Sequence, residues 1–132
     1  MSAPNSLFSA TVTIPASQAV SNSLSLKGEF AILGLIIPAT WTAASVAFQL
    51  SMEPHQMLPG DSAPSDFHDV YDETGNFVMA SGDSGVIAGS AIMLAQNVYM
   101  VGKHFKLRSC DADGVSVNQA AARTITVIYR AF

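Results

Sequence analysis

The sequence predicts an all-β chain, folded as a single-domain antiparallel β-sandwich of about eight strands with a jelly-roll or immunoglobulin-like arrangement. Three observations predict it. Short runs alternate apolar and polar residues with the period of two that a half-buried strand needs. Turn residues separate those runs at intervals of roughly ten residues. No stretch carries the apolar stripe of a long helix. At 132 residues, one domain with one core is the simplest organisation, preceded by a short N-terminal arm, residues 1–7.

The elements follow in chain order. Phe8, Ala10, Val12 and Ile14 alternate with Ser9, Thr11 and Thr13 until Pro15 halts the run, which reads as a half-buried strand near a sheet edge. Leu24 and Leu26 alternate with Ser23, Ser25 and Lys27, and Gly28 breaks that run. Phe30 to Ile37 is almost continuously apolar, the pattern of a strand covered on both faces, by the core and by a partner. Pro38 to Thr42 is a turn that lodges Trp41, the single tryptophan. Val46, Phe48, Leu50 and Met52 then alternate with Ala47, Gln49 and Ser51.

The polar stretch from Glu53 to Phe67, holding Pro54, Pro59 and Pro64, reads as a long loop. Loops of that length in compact domains are usually functional, or ordered by a partner. Val70 to Ala80 is a hairpin turning through Glu73–Asn76, where Gly75 and Asn76 best supply positive φ. Ser90 to Leu94 reads as a strand or the start of a helical turn. Lys103 to Ser109 is a strand with Phe105 and Leu107 on one face and His104, Lys106 and Arg108 on the other. After the polar loop Cys110–Asn118, Ile125, Val127 and Tyr129 alternate with Thr124 and Thr126 in a closing strand. Gln119 to Ala122 favours helix by propensity but is too short to form one.

Composition narrows the function. Apolar residues make up 49% and charged residues only 12%, where about 25% charged is usual, and such a chain suits packing against neighbours. The net charge of −4 opposes a phosphate-neutralising patch, so no nucleic acid partner is expected. No apolar run is long enough to span a bilayer, and residues 1–6 lack the basic start of a secretory signal, so no membrane partner is expected and synthesis in a cytoplasm is. Cys110 is the single cysteine and cannot form an internal disulfide; next to Asp111 it reads as a spectator thiol.

Candidate chemistry is sparse. Gly82-Asp83-Ser84-Gly85, with His55 and Asp69 upstream, follows the His, Asp, Ser order of chymotrypsin-like proteases. Those enzymes need two barrels, His55 sits between Pro54 and Gln56 without that family's histidine motif, and Val86 stands where the family has a second glycine. A tight turn explains the tetrapeptide better. His55, His68 and His104 are too widely spaced for a zinc site. Asp66, His68, Asp69, Asp72 and Glu73, and separately Asp111 and Asp113, lack EF-hand spacing and read as solvated acidic turns. Gly82, Gly85 and Gly89 do not match a dinucleotide fingerprint. No catalytic residue, metal or cofactor is therefore expected, and the chain reads as a structural or binding module.

Five of the six basic residues (Lys103, Lys106, Arg108, Arg123 and Arg130) fall in the last thirty positions, whereas nine of ten acids lie between Glu53 and Asp113. Such a division suits self-association; it equally suits a guarded edge strand with Lys106 and Arg108 on its wet face.

Phe105-Lys106-Leu107-Arg108-Ser109, then Val117-Asn118-Gln119-Ala120-Ala121 and Arg123-Thr124-Ile125-Thr126-Val127, resemble the closing strands of small virion proteins of tailed bacteriophages. The Tyr71–Asn76 hairpin and the Phe48 strand fall in the same order, and the resemblance spans roughly residues 25–130. It implies a β-rich component that decorates or cements the capsid shell, docking on the major capsid protein or other virion proteins as a homo-oligomer, by analogy a trimer at threefold axes. A tail or head-fibre component, or a carbohydrate-binding sandwich with aromatic platforms, is the alternative. On this reading the arm and the long loop make the contacts through Leu7, Phe8, His55, Met57, Leu58 and Phe67, with Lys106 and Arg108 on the basic sheet face. The resemblance brings no catalytic residues with it.

Overall fold

A computed structural model describes residues 7–51, 66–80 and 85–131, with backbone alone for 26–28 and 95–103. Within these residues the chain is all-β and antiparallel, two layers packed as a sandwich. The strands are β1 (Leu7–Ile14), β2 (Leu24–Ile36), β3 (Ser45–Ser51), β4 (His68–Asp69), β5 (Met79–Ala80), β6 (Ala91–Cys110) and β7 (Arg123–Ala131). They join in the order β1-β7-β2-β6-β3-β4, with β5 also on β3. The pairing is nested: first strand with last, second with penultimate. β1 lies at one edge, as its halting Pro15 predicts.

One continuous ladder makes both layers because β2 and β6 run through both. β7 borders β2 only from Phe30 to Ile36, and β3 borders β6 only from His104 to Cys110. Between those stretches the ladder is only β2 and β6 wide, and there Gly28 lies directly opposite Gly102, beside a register shift between Ser25 and Gly28. Glycine pairs and bulges let strands turn corners. The expected strand break at Gly28 is thus a bend inside a thirteen-residue strand. Likewise, the runs expected at Ser90–Leu94 and Lys103–Ser109 are the two halves of a single twenty-residue β6.

A second shift, between Ile32 and Gly34, gives β2 one extra residue against β7 and explains its unbroken apolar run. Phe30 and Ile32 point into the core before it, and Leu35 and Ile37 after it. The extra residue flips side-chain parity, so apolar residues fall on both faces, and Ile36 lies outside the core at 42% exposure within the single chain. A Cβ on Gly34 would lie 2.8 Å from the Ile92 carbonyl oxygen, so the bulge requires glycine.

Val12 and Ile14 of β1, Val46 and Phe48 of β3, Phe105 and Leu107 of β6, and Ile125 and Val127 of β7 join the β2 residues in one core. Full burial of each large side chain contributes about 1.5–3 kcal/mol. Trp41 packs against this cluster while its indole N–H donates to the Ala44 carbonyl at 3.2 Å. Gln119 belongs to no helical turn. Fully buried, its carboxamide accepts from the Thr42 amide at 2.8 Å and donates to the Thr42 carbonyl at 3.0 Å, standing in for a strand rung.

The Val70–Ala80 hairpin forms as expected, with Gly75 at φ 89°. Asn76 does not adopt positive φ; among the described residues the one non-glycine residue that does is Ser17, at 64°, after β1. Gly85 has φ 76°, and a Cβ there would sit 2.8 Å from the Ala44 carbonyl oxygen. The neighbouring Val86 amide donates to that same oxygen. Gly85→Ala should lower stability by about 2 kcal/mol, or about 5–10 °C in Tm. Gly75→Ala, whose Cβ meets open space, should cost about half as much; thermal unfolding of both variants checks the ranking.

Candidate docking surfaces

β6 places His104, Lys106 and Arg108 on the face away from the core, as alternation predicts, yet that face is largely covered. Arg108 is only 7% exposed. Its Nη1 donates to the Gly114 carbonyl at 2.8 Å and the Ser116 hydroxyl at 3.0 Å. Its Nε lies 3.4 Å from Asp69 Oδ1, near enough for Coulombic attraction but not aligned as a hydrogen bond. The guanidinium carbon also stands 5.6 Å from the Phe77 ring centroid. Arg108 therefore ties the Asp69–Phe77 stretch to the Gly114–Ser116 turn, and its charge does not face solvent. The wet-face expectation fails here because alternation reports direction, not what lies above.

The clamped segments share one design. Asp72 begins one turn and Asp111 another, each followed three residues later by glycine at positive φ. Asp72 Oδ1 accepts from the Thr74 amide (2.9 Å), the Thr74 hydroxyl (2.7 Å) and the Asn76 amide (2.9 Å). Asp111 Oδ1 accepts from the Asp113 amide (2.9 Å) and the Val115 amide (3.0 Å). Both acids are thus spent on their own backbones. The Asn76 amide bond above all holds the Asp72 carboxyl below its ordinary value of 3.8. The turns meet where Phe77 covers Gly114, whose Cβ would lie 3.3 Å from the ring, and Tyr71 tilts against Phe77 at 5.2 Å. Beneath them Cys110 is buried, and burial pushes its thiol up in spite of Arg108 nearby.

The opposite layer has an open outer face. Opposed residues share a face, so Leu7 and Arg130, Ile128 and Gly34, Ile36 and Thr126, and Met93 beside Gly34 all point outward. Met93 is 69% exposed and Leu7 60%. Phe8, 46% exposed, stacks on Tyr129 at 5.6 Å on the core side of the β1 edge.

The expected contact residues therefore separate. Leu7 begins β1, so the arm overlaps the strand, and Leu7 and Phe8 lie at the open edge. Phe67 is half-buried, with Lys106 Nζ 4.3 Å from its ring centroid, and this pair sits with Arg108 on the other layer. His55, Met57 and Leu58, most of the Glu53–Phe67 loop, and Gly82, Asp83 and Ser84 lie outside the described residues. Asp69 is engaged by Gln49 Nε2 at 3.0 Å as well as by Arg108. Among the described residues no group of His, Cys, Asp and Glu gathers as a metal site. Met93 and Ile128 were not expected; Ile36 belongs to the Phe30–Ile37 run, whose missing alternation already marked a second apolar face.

No protein-family model, curated protein or solved structure matches the chain.

Arg108→Met strands the Gly114 and Ser116 acceptors and should cost about 2–4 kcal/mol in denaturant unfolding, against about 1 kcal/mol or less for Lys106→Met. Because its folded carboxyl is more acidic than the unfolded one, Asp72 contributes stability that is fully present above pH 3.8 and lost as pH falls through the folded value. Asp72→Asn, which keeps an acceptor oxygen, should retain the turn and flatten the acid limb of a pH–stability profile.

Proposed function

We propose that this chain is a structural protein of a tailed-bacteriophage particle, made in the host cytoplasm, which decorates or cements the capsid shell. It would dock on the major capsid protein or other virion proteins, as a homo-oligomer and without catalysis. The reading rests on the sequence resemblance together with one observation. The outer face of the β1-β7-β2-β6 layer carries Leu7, Ile36, Met93 and Ile128 around Gly34 and Ala91, where a solvated antiparallel sheet would alternate to polar residues. A partner laid over that face removes the apolar side chains from water, at about 25 cal/mol per Å². A cement works by such area alone, with about 1,600 Å² enough for one stable contact.

A tail or head-fibre location would use the same face. The glycan-binding alternative has less support, because Trp41 is half-buried with its indole N–H engaged, not laid open as a platform.

Purified particles should contain the chain at fixed stoichiometry by quantitative mass spectrometry. Ile36→Lys with Met93→Lys should keep the Tm within a few degrees and reduce particle occupancy at least tenfold, since a charge buried at an interface costs well over 1.4 kcal/mol. Particles lacking the chain, or full occupancy by the double variant, would overturn the reading.

A further inference from the structure

The two edges of the sheet are built differently. At one, β4 and β5 have two residues each, β4 is His68–Asp69, and Asp69 is engaged by Gln49 and Arg108. Shortness and charge are how proteins guard an edge. At the other, β1 is eight residues long, uncharged and free of proline, and its register with β7 runs unbroken from Leu7–Arg130 to Ile14–Arg123. It has none of those guards. Leu7, Phe8, Ser9 and Thr11 are all exposed.

One contact tells which backbone groups this edge offers. The Thr13 amide donates to Asn22 Oδ1 at 2.7 Å, and the Thr13 carbonyl accepts from the Asn22 amide at 3.1 Å. Thr13 therefore turns its backbone away from β7. Its hydroxyl sits 3.0 Å from that of Thr124 across the ladder, the close approach of a non-hydrogen-bonded pair. Alternation puts the N–H and C=O groups of Leu7, Ser9 and Thr11 on the same outward side. Asn22 closes the rung at Thr13, and among the described residues nothing closes the other three.

We propose that this edge pairs with the β1 of a second copy of the chain, antiparallel and related by a two-fold axis through Ser9. That register matches Leu7 with Thr11, Ser9 with Ser9 and Thr11 with Leu7, giving about six N–H···O bonds at two per bonded pair. It also keeps the core side of both copies on one side of the joined sheet, because opposed residues then share parity. Phe8 falls opposite Ala10 of the mate, large against small, and the partner strand covers the Phe8 ring where it stacks on Tyr129. A neutral strand meets its own copy without like-charge repulsion. The guarded β4–β5 edge cannot accept β1, so head-to-tail growth is closed off and the assembly stops at two copies. Edge chemistry thus favours a two-fold pair over the threefold arrangement expected from the resemblance. The inference is independent of the particle reading, and a contact this narrow belongs to the weak class, below about 1,200 Å².

Sedimentation equilibrium across micromolar to millimolar chain checks it. The natural chain should dimerise. Ser9→Lys and Ser9→Glu, each at an exposed position, should keep the Tm of the natural chain at dilutions where both are monomeric, and weaken dimerisation at least tenfold by setting like charges face to face. Mixing the two variants one to one should restore the dimer. Ile36→Lys with Met93→Lys, on the sheet face, should leave it intact. A natural chain monomeric throughout, dimers unaffected by both Ser9 variants, no rescue on mixing, or dimers lost with the sheet-face variant would each overturn the proposal.

Discussion

A strand of twenty residues would be about 65 Å long if straight, whereas a compact domain of this size has a radius of gyration near 14 Å. β6 must therefore bend, and the rest of the architecture follows from where it does. The bend falls where the ladder is only two strands wide and Gly28 faces Gly102. Because β2 and β6 turn together, their hydrogen bonds continue around the corner and both layers belong to one ladder. The core is then sealed by residues far apart in sequence, with Phe30 and Phe105 meeting at 5.7 Å between centroids.

The two layers solve the problem of their outer faces in opposite ways. The β3–β6 layer is roofed by its own hairpin and turn, which Arg108 ties down with the help of Asp69, Gly114 and Phe77. A charge buried this way needs all its partners, so that roof holds as a unit. The β2–β7 layer has no such roof among the described residues, and the parity flip at Gly34 leaves Ile36 and Met93 in water. One flank is covered by its own chain and the other, among the described residues, is not.

β1, β3 and most of β7 were legible in the sequence because apolar and polar residues alternate along them, with Ile128 the interruption in β7. β2 and β6 were not, because Gly28 carries the same letter whether it stops a strand or bends one. The difference lies in its partner Gly102, 74 positions away in the chain. At the candidate surfaces Leu7 and Phe8 could be read directly from an edge-like run. Arg108 was read with the right direction and the wrong surroundings, since period two cannot report a lid supplied by residues 70–78 and 111–117. Met93 and Ile128 were hidden by the bulge, which spoils alternation where it matters most.

The nested pairing of first strand with last has a mechanical consequence. β1 and β7 run in opposite directions with Leu7 across from Arg130. Tension applied through these two neighbouring ends would peel their rungs one at a time, like a zip, and meet little resistance. A load carried through the flank of the sheet is shared by many rungs together. Such a body is sturdiest when gripped by its side with both ends left slack.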